Sequence, residues 1–265
     1  MPSSVTPPRP SLPDAGGGVD AGRLLLLLGI AAAALWLWDV PWLAPLRLLV
    51  VLVHETGHAL ATLAFGGRVE KVVIGADESG QCLSALPPGW LAQVAVYSAG
   101  YVGSAVSGAL QLILAFRFRL HRAVLLAMGI WVTGMGLVYA GNGFTLAFCL
   151  GAGAVLLGLS WLLPPGGVRA VVMVLAVFTG LYALFDLRDD LWRSSVRASS
   201  DAALLAAQTH VPALVWAALW SLISVAVLLG AALISLRKSA PPESKALETL
   251  RSLAASGTPR TTPRP

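Results

Sequence analysis

Charge is scarce in this sequence: only 12% of its 265 residues are Asp, Glu, Lys or Arg. An average soluble domain carries about 25%. With 57% hydrophobic residues and a mean hydropathy of +0.77, the chain lacks the polar surface of a water-soluble globule. Cysteine is nearly absent as well. Cys149 lies inside an apolar run and Cys82 in a loop, which excludes a disulfide scaffold. The chain has an excess of positive charge, +5, but its basic residues sit in short groups beside apolar runs, as in Arg117/Arg119/Arg122. That distribution belongs to membrane loops, and no nucleic-acid partner is expected.

What is present is a succession of apolar runs of the length that crosses a bilayer, roughly 20 residues each. They are Leu24–Trp38, Leu46–Phe65, Leu91–Phe116, Ala123–Ala140, Phe144–Leu163, a run from Arg169 toward Trp192, and Val211–Leu236. The expected fold is an all-α polytopic membrane protein of about seven transmembrane helices, integral to the cell membrane and in contact with lipid. The first run reads as a retained span rather than a signal peptide, with Trp36, Trp38 and Trp42 as an aromatic belt at its end. Residues 1–22 and 237–265 are rich in Pro, Gly and Ser and read as disordered tails around a core of 23–236. Between the second and third spans, valine-rich Arg68–Ile74, the turn residues Asp77-Glu78-Ser79-Gly80 and Gln81–Leu86 predict a small β-hairpin, about 68–86, at the membrane face. Gly100, Ser104 and Gly108 form an i, i+4, i+8 ridge on the third span, a packing seam that could also hold this helix against a site on the second. Asn142, in Gly-Asn-Gly, reads as a cap or turn between the fourth and fifth spans, with donation to an oxyanion as the alternative.

The chemistry concentrates in His54-Glu55-Thr56-Gly57-His58, an H-E-x-x-H pattern. At 100° per residue the histidines lie about 40° apart on one helical face, one turn from each other, so both imidazoles can reach one tetrahedral zinc ion. Glu55 is about 60° from His58, within reach of a water activated by that ion. Random placement at this composition produces the pattern with a chance on the order of 0.1%. The competing reading is a pair of core histidines with a structural glutamate. Placing such groups in hydrocarbon costs roughly 3 kcal/mol or more for each ionised side chain, which disfavours a packing role alone.

A catalytic zinc needs a third protein ligand. The acids near apolar runs are Asp39, Asp186, Asp189, Asp190 and Asp201. If the sixth run continues to Trp192, Asp186 lies about 9 Å below that end, and His58 lies about 10 Å from Phe65 by the same rise per residue. Spans two and six run parallel, so both depths are measured from one face. Asp189 and Asp190 read as a solvated helix end paired with Arg188 or Arg193.

These residues resemble the site-2 protease-like intramembrane zinc metallopeptidases, in particular their compact branch without a PDZ domain. The resemblance covers about His54 to Ser224. It rests on His54-Glu55-Thr56-Gly57-His58, the hairpin, Ser98-Ala99-Gly100-Tyr101, Phe185-Asp186-Leu187-Arg188-Asp189-Asp190-Leu191 and Ser200-Asp201-Ala202. Tyr101 stands where members often carry proline, and Leu187 where they often carry glycine. The resemblance implies zinc held by His54, His58 and Asp186, Glu55 as catalytic base, and a membrane protein or peptide as substrate. A non-proteolytic, metal-binding protein that binds transmembrane helices in a chaperone-like or regulatory way is the alternative.

Overall fold

The computed structural model describes residues 20–86, 88–192 and 200–237. Most of the two expected tails therefore lies outside the described residues. Residues 21–236 form a compact helical unit. Its elements are α1 (Ala21–Leu37), a 3-10 turn (Pro41–Leu43), α2 (Ala44–Ala64), β1 (Arg68–Ile74), β2 (Gly80–Ala85), α3 (Trp90–Leu112), α4 (His121–Tyr139), α5 (Gly143–Leu162), α6 (Pro165–Trp192), α7 (Asp201–Thr209) and α8 (Ala213–Leu236). Six helices, α2 to α6 and α8, are long and apolar enough to cross a membrane, and the chain is an integral membrane protein. The first expected span, α1, has 17 residues, about 25 Å at helical rise and short of the roughly 30 Å of bilayer hydrocarbon.

Helix α2 is the central element, buried from Arg47 through Thr56 without a break. Lipid is as apolar as a leucine side chain, so packing rather than escape from water must hold such helices together, and small residues supply it. A Cβ on Gly57 would strike the Ala99 backbone of α3, and one on Gly108 would come 2.6 Å from the Gly180 nitrogen of α6. The ridge on α3 thus serves two partners, with Gly100 toward α2 and Gly108 toward α6. Asn142 caps α5, its side chain accepting from the Thr145 amide at 2.7 Å. Trp36 and Trp42 are exposed as a belt requires. Trp38 departs from that expectation: it is buried and stacks on Phe185 with ring centroids 3.8 Å apart.

The hairpin forms as an antiparallel pair with Val72 opposite Cys82 and Ile74 opposite Gly80. It does not stop at the end of α2 but runs back along it. Thr62 donates to Ser84 at the base, Gly80 lies against Val51 and Glu55, and Glu78 at the tip meets Arg47. Arg47 lies 17 residues before Ala64, about 25 Å along the helix axis, so the hairpin reaches from one end of α2 to the other. Gly80, Cys82 and Ser84 alternate onto the α2-facing side, as the period of two in a strand requires. All three are small, which lets the strand lie close to the helix.

The two edges of this sheet differ. On β1, the Val72 carbonyl accepts from the Gly141 amide at 2.8 Å, and the Thr145 hydroxyl accepts from the Ile74 amide at 2.9 Å. The α4–α5 connection therefore covers β1. Since Val72 and Ile74 point outward there, the paired residues of β2 are Gln81 and Leu83. The backbone groups of Gly80, Cys82 and Ser84 then face the other way. Among the described residues no backbone partner occupies that edge of β2.

Candidate metal and catalytic site

The helical spacing brings His54, Glu55 and His58 onto α2 at the level of the hairpin, all three buried. His58 Nδ1 bonds the Val96 carbonyl of α3 at 2.7 Å. A carbonyl can only accept, so the proton sits on Nδ1 and His58 Nε2 is left to act as a ligand. The His54 ring is held edge-on by Tyr101 and Tyr182, with centroids at 4.9 and 5.3 Å. Its Nδ1 has no hydrogen-bond partner among the described residues.

The acid that meets both imidazoles is Asp201. Its Oδ2 lies 3.1 Å from His54 Nε2 and 3.0 Å from His58 Nε2, and the two Nε2 atoms are 3.0 Å apart. Ser200 caps α7 by accepting from the Ala203 amide, which starts the helix at Asp201. Ala202 and Leu205 pack α7 onto Tyr101, Ala217 and Trp220. Trp220 donates to Ser98 at 2.9 Å, Trp216 to Thr209 at 3.1 Å and Gln208 to Tyr97 at 3.3 Å. His210, at φ 59°, ends α7 in the left-handed region. Asp186 lies in α6, one turn beyond Tyr182, and the side chains of Asp186, Asp189 and Asp190 lie outside the described residues. Asp201 is one of the acids near apolar runs but stands outside the expected ligand set of His54, His58 and Asp186. The available signal was Ser200-Asp201 at the start of a short apolar helix.

The Ser98–Tyr101 segment is used residue by residue. Ser98 receives Trp220, the Ala99 carbonyl lies on Gly57, Gly100 leaves room for both imidazoles, and Tyr101 stacks on Trp220 at 4.8 Å while its edge meets His54. Depths agree across three helices. His58, Ser98 and Trp220 lie six, eight and seven residues from the ends of α2, α3 and α8, or about 9 to 12 Å.

His54 Nε2, His58 Nε2 and Asp201 Oδ2 form a group that could hold a metal ion. Ligands about 2.0–2.1 Å from a tetrahedral zinc lie roughly 3.3 Å from each other. The observed 3.0–3.1 Å is within a few tenths of an ångström of that spacing, so the donor set fits zinc. Glu55 stands beside this group, against the first residue of β2: a Cβ on Gly80 would come 3.0 Å from the Glu55 carboxyl carbon.

No curated protein and no solved structure matches the chain. A family model does, over residues 27–231, a stretch that holds the buried histidine–glutamate helix, the hairpin and Asp201. The chain belongs to the Peptidase M50B-like family, the site-2 protease family.

Proposed function

We propose that the protein is a zinc-dependent intramembrane endopeptidase of the cell membrane that cuts membrane-spanning or membrane-proximal segments of other proteins. The observation that carries this reading is the placement of Glu55 beside the His54–His58–Asp201 group and against Gly80, the first residue of the strand whose outer edge is open. His54 and His58 would hold the ion and Asp201 would close the set, with Asp186 the alternative third ligand. Zinc bound there supplies a Lewis acid that lowers the pKa of a water toward about 7 and polarises the scissile carbonyl. Glu55 takes the proton from the attacking water and returns it to the departing amine. His58, fixed by Val96, keeps its ring in one orientation throughout.

The substrate problem in lipid is backbone hydrogen bonding. A helix must unwind to offer its carbonyl, and each freed backbone group costs several kcal/mol in hydrocarbon. The outward backbone groups of Gly80, Cys82 and Ser84 satisfy such a segment by strand addition, at the end of β2 that touches Glu55. Six residues of strand, about 20 Å, give room for one short extended segment.

The test compares wild type, Glu55→Gln and His54→Ala at matched expression on a membrane reporter. Glu55→Gln keeps the side-chain size and is expected to retain zinc while lowering turnover by about 10²-fold or more. Wild-type activity in Glu55→Gln, with loss in His54→Ala, refutes the peptidase and favours a metal-dependent helix-binding protein.

A further inference from the structure

The hairpin tip carries an ion pair with no role in the chemistry above. Arg47 Nε donates to Glu78 Oε2 at 2.6 Å and Nη2 to Oε1 at 2.6 Å, a bidentate fork. Its remaining nitrogen, Nη1, donates to the Trp38 and Val40 carbonyls, so the guanidinium also grips the turn between α1 and α2. Arg47 is 8% exposed. Glu78 is held at φ 67° by a tight turn in which the Gly75 amide donates to Ser79 at 2.8 Å and the Ser79 hydroxyl donates to Asp77 at 2.6 Å. Trp38, whose carbonyl receives Arg47, is itself fixed by stacking on Phe185. Gly80 follows Glu78 by two residues and lies on Glu55.

We propose that Arg47 and Glu78 are positioning residues: their pin sets where β2 sits along α2, and so which bond of a segment paired to β2 is presented to Glu55. This rests on the peptidase reading above. The base of the hairpin is tied by the short Gly66-Gly67 link and by the Thr62–Ser84 bond. At the tip, the two charged hydrogen bonds of the pin tie the turn to α2. A tip freed from Arg47 is held through β1, whose Val72 and Ile74 bond the α4–α5 connection, and β2 can then tilt against Glu55. An extended segment offers equivalent carbonyls every second residue, so displaced cuts fall two residues from the main one.

The experiment uses the full chain in membranes with a single-span reporter protein, and reads product masses together with hydrogen exchange of residues 72–82. In wild type a single bond is expected to dominate. Glu78→Ala is expected to spread the products onto bonds two residues away and to raise exchange at the tip about tenfold or more, with zinc content unchanged. Glu78→Gln keeps an acceptor for Arg47 and is expected to hold the main bond, which guards against a variant that simply fails to fold. The same product masses in Glu78→Ala as in wild type overturn the proposal. If wild type and Glu55→Gln alike leave the reporter uncut, the peptidase reading has failed. The exchange measurement then judges the pin by itself, and unchanged exchange in Glu78→Ala overturns it.

Discussion

Replacing Gly100 by alanine tests the site through one methyl group. A Cβ at that position would lie 2.5 Å from His54 Cε1 and 2.5 Å from His58 Nε2. Ordinary contact between such atoms is about 3.5 Å, so the rings or the helix must move by roughly 1 Å. Neither ring has room. His58 is tied through Nδ1 to Val96, one turn before Gly100 on the same helix, and His54 is boxed by Tyr101 and Tyr182. Overpacking of this kind costs about 1–3 kcal/mol. If it falls on the ligand geometry, zinc affinity drops by roughly 5- to 150-fold, since each 1.4 kcal/mol is a factor of ten. Gly103→Ala is the control on the same helix, because its Cβ would meet only the Gly57 Cα at 3.4 Å. Competition with a calibrated chelator on purified protein in detergent measures both variants. Wild-type zinc affinity in folded Gly100→Ala refutes the placement of the imidazoles against α3.

Asp201→Ala is expected to lower zinc occupancy strongly at unchanged expression, measured by elemental analysis. Full occupancy there with loss in Asp186→Ala moves the third-ligand role to α6. Ser200→Ala removes the cap of α7 and is expected to cost about 1 kcal/mol of local stability, read as weaker zinc retention on mild heating. Burial, and then the charge of Glu55, pushes the Cys82 thiol up to about 12. At pH 8 its thiolate fraction is then about a thousandfold below that of an ordinary thiol. In a Cys149→Ala background, alkylation is expected to be slow until the protein unfolds, and an exposed-thiol rate in the native state would contradict the packing of β2 on α2.

What could be read from sequence was local. His54, Glu55 and His58 are three residues on one turn and a fraction, and helical geometry alone brings them together. The hairpin was legible because turn residues separate two short strand-like runs, and the cap at Asn142 because it opens a helix. Depth was not legible in the same way. The hairpin was expected at the membrane face, and its turn reaches Arg47 because Glu78 finds there a cation 31 positions earlier in the chain. Trp38 was read from its place beside Trp36 and Trp42. It is drawn inside by an aromatic partner, Phe185, far along the chain.

Asp201 shows the same limit in the site itself. It meets His54 across 147 positions, and rise per residue along α6 says nothing about a short helix that follows that span. The docking of α7 is settled by tertiary chemistry instead: an apolar face of Ala202 and Leu205 fits the patch of Tyr101 and Trp220, and Ser98 holds the Trp220 indole. That patch is built on Tyr101, whose edge also meets the His54 ring. One residue therefore supports two of the three candidate ligands, from different elements. Tyr101→Ala removes the support of His54 and of α7 together and is expected to cost more than Ser200→Ala, which weakens α7 alone. If Tyr101→Ala holds zinc as well as Ser200→Ala does, the aromatic patch does not carry Asp201 to the histidines, and its placement must come from the α6–α7 connection.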